Sequence, residues 1–86
     1  MPRERRQIMR NIIHKYNKIG HINRLQSMVM GDSQYLVLLS VDVNDEMKGS
    51  EVEDMTEQLK LELKKEIPEI GTIYIESQDS KRNQKV

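Results

Sequence analysis

The sequence predicts an α+β domain in the order α-β-β-α-β, a three-stranded sheet with two helices on one face. Three observations predict it. Residues 3–20 and 50–68 carry apolar side chains at every third or fourth position, the period of a helix. Residues 21–30, 34–43 and 71–77 carry the β-branched and alternating residues of strands. Gly20, Gly31 and Pro68 stand at the junctions, where turns and helix ends need them.

In "RERRQIMRNIIHKYNKIG", Ile8, Met9, Ile12, Ile13, Tyr16 and Ile19 form one stripe, and Gly20 is expected to close the helix in a left-handed conformation. "HINRLQSMVM" and "QYLVLLSVDV" flank "GDS" and read as a hairpin. Side chains alternate along a strand, so Tyr35, Val37, Leu39, Val41 and Val43 share the better core face, opposite Leu36, Leu38, Ser40 and Asp42. Ser50 followed by Glu53 has the capping-box spacing and is expected to start the second helix. Val52, Met55, Leu59, Leu63 and Ile67 make its buried stripe, and Pro68 ends it.

"GTIYIES" is the third strand, with Ile73 and Ile75 inward and Thr72, Tyr74 and Glu76 outward. Because such crossovers are right-handed, strand three is expected to run parallel to strand two. Ser40 and Asp42 would then lie near Tyr74 and Glu76 on the helix-free face. "SQDSKRNQKV" lacks apolar periodicity and is expected to fray, which places the domain at residues 1–78 and a flexible tail at 79–86. The whole order is that of a ferredoxin-like, or metallochaperone-like, sandwich without its first strand.

The chain has 86 residues, is 33% charged with a formal net charge of zero, and contains no Cys, Phe or Trp. One thin core of Ile, Leu, Val and Met is all it can bury, and a partner surface often completes so small a core. Without cysteine, thiolate zinc sites, disulfides and cysteine nucleophiles are excluded. No apolar run approaches the roughly 20 residues that span a bilayer.

Charge is unevenly spread. Arg3, Arg5, Arg6, Arg10, Lys15, Lys18 and Arg24 stand against Glu4 in the first quarter, while residues 42–70 are acidic. A nucleic-acid reader would add stacking aromatics, and only Tyr16, Tyr35 and Tyr74 are present, so no nucleic-acid partner is expected. The arginines read instead as a solvated helix face, or as the stretch that follows a membrane span on its cytoplasmic side. No phosphate loop, nucleophile with base or zinc-protease pattern is found, so no enzyme is expected.

Residues 42–53, "DVNDEMKGSEVE", place Asp42, Asn44, Glu46 and Glu53 at the first, third, fifth and twelfth positions of a calcium loop. The reading fails on Met47, which occupies the position where glycine makes the sharp turn, and on the strand that leads in.

This order of elements, with "INRLQSMVMG" as a leucine–basic strand leading to a glycine, a second strand ending in an acid, an amphipathic helix closing at "EIP" and a last strand ending in a hydrophobic–acidic pair, resembles the cytoplasmic C-terminal domain of cation diffusion facilitator transporters. The resemblance spans nearly the whole chain. It implies a homodimeric cytoplasmic domain below the transmembrane domain of the same transporter, which exchanges divalent cations for protons. Such a domain catalyses nothing; it holds the protomers together, and a divalent cation such as zinc, manganese or iron at the exposed sheet face biases their angle. The start at Met1 and Pro2 then reads as a segment cut from a longer protein. The alternative is a free-standing ferredoxin-like module for a small ligand or protein partner.

The resemblance places the family's metal-binding positions on Glu53, on Tyr74-Ile75-Glu76, on Ser40 and on Asn23, with His21 two residues from the last. The candidate ligands are Glu76, His21 and Glu53, an oxygen-rich set that favours harder cations over zinc. Each has an ordinary reading beside it: Glu76 as an edge charge against aggregation, His21 as a polar strand end, Glu53 as the capping partner of Ser50. His14 lies among cations and reads as a solvated residue. Met28 and Met30 alternate on one strand but read, with Met9 and Met55, as adaptable core or dimer surface rather than a soft-metal site.

Overall fold

A computed structural model describes residues 2–31, 33–44 and 46–79. The elements follow the expected order: α1 (Arg3–His14), β1 (Ile19–Met30), β2 (Gln34–Val43), α2 (Gly49–Glu66) and β3 (Ile70–Asp79). The strands form one sheet in the order β1-β2-β3, with β1 antiparallel and β3 parallel to β2. Both helices cover one face, and a single cluster joins Met9, Ile12 and Ile13 of α1, Met55, Leu59 and Leu63 of α2, and Val37, Leu39, Val41 and Val43 of β2.

α1 is shorter than its apolar stripe. It ends at His14, with Lys15 as a right-handed C-cap; Tyr16 packs on the core from the turn beyond, and Ile19 already begins β1. Gly20 is therefore not a helix stop. It sits in β1, at an irregularity between the Ile19–Val43 and His21–Asp42 pairs. Positive φ values occur instead in the hairpin turn, at Gly31 (φ 20) and Ser33 (φ 61).

The start of α2 also departs from expectation. Its N-cap is Lys48, and the Glu51 Oε1 accepts a hydrogen bond from the Lys48 N–H at 3.0 Å. An ammonium has no acceptor to return, so only half of a capping box forms. Ser50 and Glu53 lie inside the helix and are exposed, which frees the Glu53 carboxylate from the cap. β3 continues past Glu76 because Ser77, Gln78 and Asp79 pair with Val41, Asp42 and Val43. Backbone pairing extends the strand where side-chain periodicity gives no signal; residues 80–86 of the expected tail lie outside the described residues.

Two contacts tie the helices down. The Arg6 guanidinium donates to the Leu25 carbonyl at 2.9 Å, and the Tyr16 hydroxyl donates to Glu62 at 2.9 Å, joining the end of α1 to α2. Among the described residues no helix is long and apolar enough to cross a membrane.

Candidate functional site

Alternation along three strands decides what the helix-free face carries. Leu36, Leu38, Ser40 and Asp42 of β2 point away from the core, and the parallel register sets Thr72, Tyr74, Glu76 and Gln78 of β3 beside them in turn. On the other side Met28, Gln26, Arg24 and His21 stand opposite Leu36, Leu38, Ser40 and Asp42. A second irregularity, between Ile22 and Arg24, inserts Asn23 into β1. Such a bulge turns two successive residues to one face, and here Asn23 and Arg24 both face away from the helices while Ile22 and Leu25 pack inward.

The polar end of this face is a wide depression of about 950 Å³, open to solvent and bordered by Asn23, Arg24, Ser40, Asp42, Glu76 and Gln78. Asn23 Nδ2 donates to Asp42 Oδ1 at 2.7 Å, and Gln78 Nε2 donates to Glu76 Oε1. Each carboxylate is thus oriented by a neighbouring amide. Tyr74, 62% exposed, offers a flat apolar surface beside them.

Of the three predicted ligands, Glu76 lies in this depression. His21 is exposed at the end of β1 beside Asp42, outside the depression, and its Cα stands about 12 Å from that of Glu76, two strand spacings across and two residues along. Glu53 lies on α2, in the helical layer. Among the described residues no three His, Asp or Glu side chains are grouped closely enough to hold a metal ion. The donor chemistry of one protomer, two carboxylates and two amides, suits a hard cation that keeps water or takes ligands from a second surface; it does not form a tetrahedral zinc site.

Sequence reasoning missed Arg24 and Gln78 as members of this face. Gln78 follows from the parity of Thr72, Tyr74 and Glu76 only once β3 is known to extend past Ser77, which its side-chain pattern does not signal. For Arg24 no signal was present, because the bulge at Asn23 inverts the parity of β1. Arg24 stands in the same row as Glu76 with Ser40 between them, about 10 Å apart at Cα, and its charge opposes cation binding there.

The domain is thus a two-layer sandwich with an open, partly charged sheet face. The chain belongs to the family described as "Cation efflux protein, cytoplasmic domain", whose profile matches residues 1–78. It is thus the homodimerising and regulatory cytoplasmic domain of a cation diffusion facilitator transporter. Its fold is similar to that of the metal-bound C-terminal domain of the CzcD transporter from Thermotoga maritima, with a TM-score of 0.83 at 15% identity, covering 92% of this chain and 94% of that one. The cytosolic domain of another cation diffusion facilitator family protein gives 0.80 at 14% identity, covering 94% and 99%. A cadmium form of a MamM C-terminal domain variant gives 0.80 at 9% identity, covering 90% and 95%. No curated protein matches the sequence.

Proposed function

We propose that this domain biases the arrangement of two transporter protomers by taking a divalent cation at the helix-free face, with Glu76 as the donor in the depression and His21, too far from it within one protomer, as a donor from the other, and that it catalyses no reaction. The observation that supports it is the pair of oriented carboxylates, Asp42 and Glu76, on an open face that one protomer leaves short of a full ligand set. A second protomer supplies the missing donors. Glu53, exposed on the helical layer, enters only as a ligand reaching the partner's face. Because the set is oxygen-rich, manganese or iron(II) fits it better than zinc.

The similar domains of CzcD and MamM were solved with metal, which makes a metal-responsive role the first to test. Calorimetric titration of the chain with manganese, iron(II) and zinc is expected to show saturable heat, strongest for the harder ions. Glu76→Ala is expected to weaken it at least tenfold, His21→Ala less, and sedimentation is expected to show a dimer that compacts with metal. Heats unaltered by both substitutions refute the site; a strict monomer at high concentration contradicts the dimeric assignment.

A further inference from the structure

We infer that the end of the domain formed by the start of α1 and the tip of the β1–β2 hairpin rests on an anionic bilayer surface, with Arg3, Arg6 and Arg10 against lipid headgroups. It rests on membership in the transporter-domain family and not on the metal reading, so either can fail alone.

Arg3, Arg6 and Arg10 recur at three- and four-residue steps and, with Gln7, line one depression on α1. Arg5 has its carboxylate, Glu69 Oε2 at 2.8 Å; among the described residues no carboxylate is within ion-pair distance of the other three. Glu4 is the one acid among residues 3–10, against four arginines, of which Arg5 is set against Glu69. Side chains of this type gather anionic lipid electrostatically, each strengthening attachment about fivefold.

The fold decides what accompanies them. Arg5 bonds Glu69, the Glu69 carbonyl accepts from the Tyr35 N–H, and Tyr35 pairs with Val29. The first turn of α1 therefore lies level with the hairpin tip, while its other end leads to Ile19 and Val43 at the far end of the sheet. At that tip Val29, on the helical side of β1, is 71% exposed, and Met28 and Met30, on its other face, are 49% and 48% exposed, so apolar side chains flank the tip on both sides. Cationic side chains beside exposed apolar ones are the two signals that together hold a protein at a bilayer interface. An RNA would use the arginines but gains nothing from Met28, Val29 and Met30, which lack stacking rings.

The test is co-flotation of the 86-residue chain with phosphatidylcholine vesicles, with and without phosphatidylserine. Binding is expected only with phosphatidylserine and is expected to fall steeply with salt. Arg3→Glu with Arg10→Glu, which spares the Arg6 bond to Leu25, is expected to reduce it more than 25-fold. Val29→Asp is expected to reduce it severalfold at unchanged arginine content. Lys18→Glu, at the opposite end, is expected to leave it within twofold. Circular dichroism verifies folding of each variant, and Arg3→Gln with Arg10→Gln replaces the double variant if it does not fold. Equal binding to neutral vesicles, equal weakening by Lys18→Glu, or tighter binding to a short single-stranded RNA overturns the proposal.

Discussion

Replacing Tyr16 by Phe tests how the two helices are joined. The phenol donates to Glu62 at 2.9 Å, and Lys15 Nζ approaches the other oxygen of that carboxylate at 4.0 Å. Partial burial, then the hydrogen bond to Glu62 and its negative charge, push the phenol up from 10.0 to about 12. A hydrogen bond to a charged group contributes about 1.5–3 kcal/mol, but solvent reaches this pair and Glu62 rehydrates when the hydroxyl is gone, so about 1 kcal/mol is expected. For a domain of this size that lowers Tm by roughly 4–8 °C.

The same bond sets a pH window. Below pH 10 the phenol is protonated in both folded and unfolded chains, and its contribution is fully present. Between 10 and about 12 the unfolded phenol ionises first, so stability falls with rising pH. The full shift corresponds to about 2.7 kcal/mol, which solvent screening cuts to about 1 kcal/mol. Thermal melts of both proteins from neutral pH to pH 11, at one fixed concentration because dimerisation also stabilises, give the comparison. The Tyr16→Phe chain is expected to start lower and lose less above pH 10. Equal Tm values at pH 8 with parallel alkaline slopes refute the coupling.

Leu59 is fully buried between α2 and the sheet, and Leu59→Ala is expected to cost about 2–5 kcal/mol by chemical denaturation, a large part of the roughly 4–13 kcal/mol available to a chain this long. Glu51→Ala is expected to destabilise by about 0.5–1 kcal/mol through the lost bond to the Lys48 N–H, whereas Glu53→Ala leaves stability unchanged; the reverse order of denaturation midpoints reinstates Ser50 as the cap. Arg24→Gln removes a positive charge from the row of Glu76, and for a divalent ion about 8 Å away in water-like surroundings this gains about 1 kcal/mol, or fivefold tighter binding by calorimetry. Unchanged affinity there argues that the cation is not held beside Glu76.

The fold was legible because its main signals are local. The period of Met55, Leu59 and Leu63, the alternation of Val37 to Val43 and the break at Pro68 each depend on neighbours within one element, and the right-handed crossover then fixes the direction of β3. What was misread depends on backbone partners far away or on near-equivalent neighbours. Glu51, Glu53 and Asp54 all offer a carboxylate near the start of α2, and three-residue spacing does not say which one reaches back. The length of β3 follows from Val41, Asp42 and Val43, some 36 residues earlier, whose backbone groups draw Ser77 to Asp79 into the sheet.

The site shows the same division more sharply. A metal site is a set of distances between side chains on different strands, and one inserted residue in one strand changes which side chains share a face. The bulge at Asn23 does this: it holds Asn23 against Asp42 and swings Arg24 into the row of Glu76, while His21 stays at the strand end. The resulting face carries anions and a cation together, a donor set whose chemistry matches a hard, partly hydrated ion better than a soft one. A weak site is still adequate for regulation, because a ligand moves a two-state equilibrium only by the ratio of its affinities for the two states. On the proposed reading, in which two protomers contribute the ligands, any change in their separation would alter the affinity and so supply that ratio.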